Sequence, residues 1–168
     1  MRPSVFLVAV VAVLASAAAV VAQDQPAPLF SQLTAPPDER TPQGLVARLY
    51  ERTSVPTSRR DLGRFFTGDL AAALLADGRG GEVGAIDGDY RYDAQDVQRG
   101  NLTLDLVAGG ADTATVEARF RNFGEAKTVR YRLCRLGPNE WRIADVAMPS
   151  GELRALLGLP PAGQASCA

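Results

Sequence analysis

The residues with the most chemical potential are clustered in one short run, IDGDYRYDAQD, residues 86–96. Asp87, Asp89, Asp93 and Asp96 place four carboxylates within ten positions, with Tyr92 among them. Carboxylates at such spacing can ligate a hard cation, share acid/base work, or cap backbone donors at a turn. Calcium fits poorly. Counting an EF-hand loop from Asp87, the fifth, sixth and twelfth positions are Arg91, Tyr92 and Gln98, where an oxygen ligand, glycine and glutamate belong. Catalysis without histidine needs paired acids whose pKa values are pushed apart. Asp89, Asp93, Asp96 and Tyr92 are the candidates for that role. The structural reading is a polar corner. In it the Asp side chains accept otherwise orphaned N–H groups, Gln95 and Asp96 among the acceptors, and Arg91 pairs locally. We take the corner as the expected role.

The remaining chemistry is bounded by what the chain lacks. It contains no histidine, which removes Ser-His-Asp and Cys-His nucleophile systems. Cys134 and Cys167 are its only cysteines, too few for a zinc site without several carboxylates. No metal and no cofactor is expected. In an oxidising compartment an even pair reads as a disulfide, so Cys134 and Cys167 are expected to be bonded. Gly78, Gly80 and Gly81 mark a flexible loop. They lack the Lys and Ser/Thr that make a phosphate cradle.

The N-terminus points to export. Arg2 precedes an apolar run from Val5 to Val21, and Val20-Val21-Ala22 offers small residues before the polar Gln23-Asp24-Gln25-Pro26. This is the three-part pattern of a secretory signal peptide. Residues 1–22 are the expected signal peptide and the protein is expected in the periplasm or medium. A retained membrane anchor is the alternative, since the run can just span a bilayer. Removal of residues 1–22, with Arg2 their one charged side chain, takes the formal net charge from −1 to −2. So weak a charge gives no case for nucleic acid or, after cleavage, for an anionic membrane as partner.

These groups must be positioned by one domain. Residues 23–40, with Pro26, Pro28, Pro36 and Pro37, read as an extended linker. Thr41-Pro42 opens a helix over 42–53, carrying Leu45, Val46, Leu49 and Tyr50 at helical spacing. Helices follow at about 59–66 and from 67 or 68 to 76. From residue 101 the period falls to 2: Leu102, Leu104 and Leu106; Ala114, Val116, Ala118 and Phe120; Val129, Tyr131 and Leu133; then Trp141, Ile143 and Val146. Turns at Gly109-Gly110-Ala111-Asp112, Phe123-Gly124-Glu125-Ala126 and Gly137-Pro138-Asn139 join them into an antiparallel meander. Ser150 is expected to cap a short final helix. The fold class is α+β: helices on one face of a four-stranded sheet, a cone- or cystatin-like shape.

A turn over 123–126 pairs residues whose numbers sum to 249. Glu117 then faces Arg132, and Arg119 faces Arg130. With Arg121 beside them, Arg119, Arg121, Arg130 and Arg132 form a cationic face that could receive an acidic protein or anionic ligand. Solvated arginine stems shielding the apolar layer are the structural alternative.

Three stretches carry a family resemblance: FFTGDLAAALL (65–75), DGDYRYDAQD (87–96) and NEWRIADVAMPSGELRALL (139–157). They resemble an exported bacterial family known as domain of unknown function 3828, similar in architecture to the nuclear-transport-factor-2-like cone. The resemblance spans residues 41–158 and leaves 159–168 as a tail. Where the family carries proline after the first aspartates, Tyr90-Arg91 stand here. The resemblance implies fold and export, and no activity. The expected function is therefore an exported single-domain binding or interaction module with a protein or small-molecule ligand. The alternatives are a small histidine-free enzyme using carboxylates, and an immunity-type inhibitor of an acidic partner.

Overall fold

The computed structural model describes residues 36–78, 84–163 and 167. The expected signal peptide, most of the linker and most of the glycine loop lie outside the described residues. Three helices come first, α1 (Pro42–Tyr50), α2 (Arg59–Phe65) and α3 (Gly68–Asp77). A five-stranded antiparallel sheet follows, in the order β1 (Thr103–Gly109), β2 (Thr113–Asn122), β3 (Glu125–Gly137), β4 (Glu140–Met148) and β5 (Gly151–Glu152). It ends in α4 (Leu153–Leu156). The α+β class is as the sequence predicts, with the two-residue β5 as an addition. No helix among the described residues is long and apolar enough to cross a membrane.

Each helix starts where a side chain can satisfy its free N–H groups. Thr41 Oγ1 accepts from Gly44 N at 3.0 Å, with Pro42 at the first helical position. Ser58 Oγ accepts from Asp61 N at 3.1 Å. At α3 the acceptor is Asp69, whose Oδ1 takes both Leu70 N and Thr67 Oγ1 at 2.8 Å. The first helix stops at Tyr50, three residues short of the expected end. Its last carbonyls are claimed from outside, as described below. At the C-terminus Ser150 does not cap α4. Its N–H and hydroxyl both donate to Asp93, while Glu152 occupies the N-cap without a side-chain capping bond. The intervening Gly151-Glu152 pairs with β4 as β5, so the helix begins later.

The core lies between the helices and one sheet face. Leu45, Leu49, Leu62, Phe65 and Leu70 from the helices meet Val116, Ala118, Val129, Tyr131 and Ile143 from the strands, all at most 2 % exposed. The alternation predicted for β2 holds along the strand. It fails at the free end of β1. The strand bulges at Val107, and Leu106 and Val107 are 46 % and 49 % exposed. A bulge at Ala144 in β4 places Asp145 opposite Arg132 on the outer face and Val146 opposite Tyr131 on the inner.

The β2–β3 register differs from expectation. Glu117 pairs with Arg130, and Arg119 with Thr128. The partners sum to 247, because the turn is the two-residue loop Phe123-Gly124 between Asn122 and Glu125. Both loop residues have positive φ (48° and 82°), as a tight hairpin turn of the primed type requires. A shift of two keeps every side chain on its predicted face and changes every opposite number.

Phe123 is 61 % exposed and sits in the left-handed region that non-glycine residues disfavour. Phe123→Asn should therefore stabilise the protein by roughly 0.5–1 kcal/mol, since Asn-Gly is the preferred pair for this turn. Urea unfolding of both proteins at equal m-value measures it.

Candidate functional site

The acidic corner is built around Arg91. Gly88 (φ 117°) lets the chain double back, and a Cβ there would lie 2.7 Å from Ala94 O. Asp89 N then donates to Ala94 O at 2.8 Å, and Tyr92 N to Asp89 O at 3.0 Å. Asp93 takes the left-handed conformation that aspartate tolerates better than most residues. Inside this loop the Asp89 carboxylate accepts Arg91 N at 2.9 Å, Arg91 Nε at 2.9 and 3.1 Å, and Arg91 Nη2 at 2.5 Å. The Arg91 side chain is 2 % exposed. Its Nη1 reaches Leu49 O at 3.1 Å, a carbonyl of the last turn of α1 that otherwise accepts only a long bond from Arg52 N at 3.4 Å, and Arg52 O at 2.8 Å, just beyond the helix. Its guanidinium also lies over the Tyr92 ring, 5.3 Å from the centroid.

Arg91 also presents its backbone carbonyl to the core. Tyr50 Oη donates to it at 2.5 Å, and Tyr131 Oη donates to Tyr50 Oη at 2.9 Å. Burial pushes the Tyr50, Tyr90 and Tyr131 hydroxyls well above the usual phenol range. They stay protonated at neutral pH and act as donors or packing groups, not as bases.

The other expected members of the corner are dispersed. Asp93 meets Ser150 N at 3.2 Å and the Ser150 hydroxyl. Asp87 accepts from Gln95 Nε2 at 2.6 Å. Tyr92 is buried, and its hydroxyl accepts from Arg99 at 3.3 Å. Asp96 is exposed, and among the described residues its carboxylate has no partner. The expected acceptor role of Asp96 is thus corrected. The joint there is Asn122, which is 6 % exposed. Its Oδ1 accepts Gln98 N at 2.8 Å, and its Nδ2 donates to Asp96 O at 3.2 Å. The sequence carried one signal for this, an amide at a position where β2 alternation calls for an inward side chain. Among the described residues no three His, Cys, Asp or Glu side chains gather as a metal would require.

The arginine face is interleaved with acids. Glu117 takes Arg130 Nε at 2.6 Å and Arg119 Nη1 at 3.1 Å, and Arg119 Nη2 also bonds Asp105. Arg132 bonds Glu152 at 2.7 Å and lies 3.4 Å from Asp145. Arg121 donates to Gly124 O at 2.6 Å. Four guanidiniums therefore share the face with Asp105, Glu117, Asp145 and Glu152. The Arg119–Arg130 opposition expected from the earlier register does not occur.

A second buried arginine was not singled out from the sequence. Arg154 Nε donates to Pro160 O at 2.6 Å, Nη1 to Ala144 O at 3.3 Å and Nη2 to Asp69 at 2.7 Å. It joins α4, α3, β4 and the tail. Asp145, with its side chain fully buried, accepts Val146 N at 2.8 Å and Arg154 N at 3.2 Å. Burial still outweighs these bonds and raises its pKa above the usual carboxylate range.

The same tail frames a groove. Cys134 and Cys167 are disulfide-bonded, with Cα atoms 5.4 Å apart. Beside the bridge, on the outer face, is a groove of about 640 Å³ lined by Ala108, Thr115, Arg132, Arg135, Ala144 and Ala162, among others. It shares Ala108, Gly109, Gly110 and Ala114 with a second, shallower groove of about 470 Å³, which also contacts Pro42, Leu106, Val107 and Trp141. Arg135 stands at the junction, stacked on Trp141 at 5.4 Å. None of Asp87, Asp89, Asp93, Asp96 or Tyr92 lines either groove.

No protein-family model matches the chain, and no curated protein matches it. The resemblance to domain of unknown function 3828 therefore rests on its quoted motifs. Among solved structures the chain is similar to a phospholipid-binding protein from Ralstonia solanacearum, determined in complex with a phospholipid. The identity is 18% over 73% of each chain, and the TM-score is 0.36. A likeness this slight carries no ligand over to this chain.

Two outcomes follow from this geometry. Asp89→Ala strands a buried guanidinium and should cost about 3–5 kcal/mol, while Asp96→Ala leaves the unfolding midpoint in place. Calcium should shift neither midpoint, because a ligand of the folded state alone must stabilise it. Urea titrations with calcium and with chelator check both. For Asp145, the raised pKa means the folded state holds the proton more tightly than the unfolded state. Its contribution is largest at low pH and declines as pH rises through the raised value. The stability of Asp145→Asn relative to wild type should thus improve with rising pH across that interval, read from paired unfolding curves.

Proposed function

We propose that this chain is an exported binding module of the domain-of-unknown-function-3828 type, and that its ligand occupies the outer-face groove beside the disulfide. The carrying observation is the division of labour between corner and groove. The corner's best-placed acids are committed to main-chain and arginine partners, and they line neither groove. A carboxylate whose oxygens accept a backbone N–H and a bidentate arginine has its lone pairs occupied and its position fixed, which suits a joint better than proton transfer.

The groove has the opposite character. Its floor is small and apolar, which lets a ligand approach the backbone closely, and Arg135 offers a cation at one end. Its chemistry suits a small amphiphile, with an apolar body along Ala108, Ala144 and Ala162 and an anionic end towards Arg135. Export fits the disulfide, which persists in an oxidising compartment.

The test uses 1-anilinonaphthalene-8-sulfonate, an apolar anion whose fluorescence rises on transfer from water. Thr115 is half-buried on the groove floor, so Thr115→Trp should fill the groove and weaken dye binding at least tenfold at unchanged melting temperature. Equal binding by the two proteins would contradict the assignment of the groove.

A further inference from the structure

The charged side chains of the outer groove differ in how far they are committed. Arg132 is held by Glu152 and Asp145. Arg135 and Asp112, which line the same groove, are not held in this way. Arg135 donates Nη1 to Ala111 O at 3.3 Å and has no carboxylate partner among the described residues. The Asp112 carboxylate has neither a hydrogen bond nor an ion pair among them. No ion pair joins the two side chains to each other, although each is exposed.

Their places are nonetheless fixed. Arg135 N donates to Asp112 O at 2.9 Å, which ties the turn between β1 and β2 to the end of β3. Gly110 N donates to Thr113 O at 2.8 Å and closes that turn. The Arg135 guanidinium rests 5.4 Å from the centroid of Trp141, a ring that is 5 % exposed. Stacking on a buried ring holds the guanidinium plane while leaving N–H donors at its edge. The groove therefore presents one cation and one anion on adjoining pieces of backbone, each with hydrogen-bonding capacity to spare. A purely anionic ligand at Arg135 would bring its charge towards Asp112, and like charges brought together cost binding energy. A ligand carrying both signs satisfies both side chains.

We propose that the head group bound in this groove is zwitterionic, its anionic group on Arg135 and its ammonium group on Asp112. This rests on the assignment of the ligand to the groove and adds the chemical class of its polar end. An amino-acid-like solute and an amphiphile bearing phosphate and ammonium share that chemistry.

The experiment measures displacement of the same dye by matched alkyl probes below their micelle concentrations. Decanoate is compared with α-aminodecanoate, and decyl phosphate with decyl phosphoethanolamine, so that each pair differs by one ammonium group. In at least one pair the zwitterion should bind about tenfold tighter, the equivalent of one charge-assisted hydrogen bond. Glycine and phosphoethanolamine, which lack the chain, distinguish a free solute from an amphiphile. The Asp112 side chain bonds nothing within the chain, so Asp112→Asn should keep the wild-type melting temperature. It should reduce the preference to within about twofold. Equal affinities within both pairs, or a preference that survives Asp112→Asn, would overturn the zwitterionic head group while leaving the groove assignment standing. If no alkyl probe displaces the dye, the groove assignment fails and this inference fails with it.

Discussion

A guanidinium withdrawn from water must find acceptors for its N–H groups, and Arg91 finds them on two distant pieces of chain. Asp89 supplies a carboxylate from its own loop, and Leu49 and Arg52 supply carbonyls from the end of α1. The loop and the helix are thereby fixed to each other. The same residue offers its backbone carbonyl to Tyr50, which receives a hydrogen bond from Tyr131 on β3. Helix, corner and sheet therefore meet in one chain of hydrogen bonds. Removing any member leaves a buried polar group exposed to an apolar environment, where it costs more than an average hydrogen bond is worth.

Arg154 repeats this arrangement at the other end of the chain. Its three bonded nitrogens reach the tail, β4 and the start of α3, and the disulfide holds the tail beyond it. One wall of the outer groove is thus made of residues whose position depends on a buried arginine and a covalent bridge. That gives a short tail the fixed geometry a binding surface needs. The salt bridges on the exposed sheet face contribute far less, about 0.2–1 kcal/mol each where measured in comparable settings. They keep the face soluble and close to neutral.

The helices and the strand faces could be read from the sequence because they follow from periodicity. Leu45, Val46, Leu49 and Tyr50 recur at helical spacing, and Val116, Ala118 and Phe120 alternate. Register was not legible to the same depth. It depends on whether Phe123 adopts positive φ, and a phenylalanine gives little sign of that. Asp96 and Ser150 were misassigned for a related reason. Both are common cap residues by type, but the acceptor actually needed near 96–98 comes from Asn122, 24 to 26 residues away in sequence. Buried arginines are hard to foresee, since composition marks arginine as a surface residue. Only the carbonyls at the end of α1 and the backbone of β4 reveal why Arg91 and Arg154 are inside. The groove depends on the Ala144 and Val107 bulges and on the tail, none of which leaves a periodic trace.

The central claim is that Asp89 and Arg91 act as one structural unit that joins the acidic corner to α1. A double-mutant cycle tests it most directly, using Asp89→Ala, Arg91→Leu and the combined variant in equilibrium urea unfolding. The account predicts strong non-additivity: the double variant should be more stable than the sum of the single losses implies, by about 2 kcal/mol or more, because removing both charges leaves neither stranded. Losses that add to within about 0.5 kcal/mol would mean the two side chains contribute independently, and the corner would lose its organising pair.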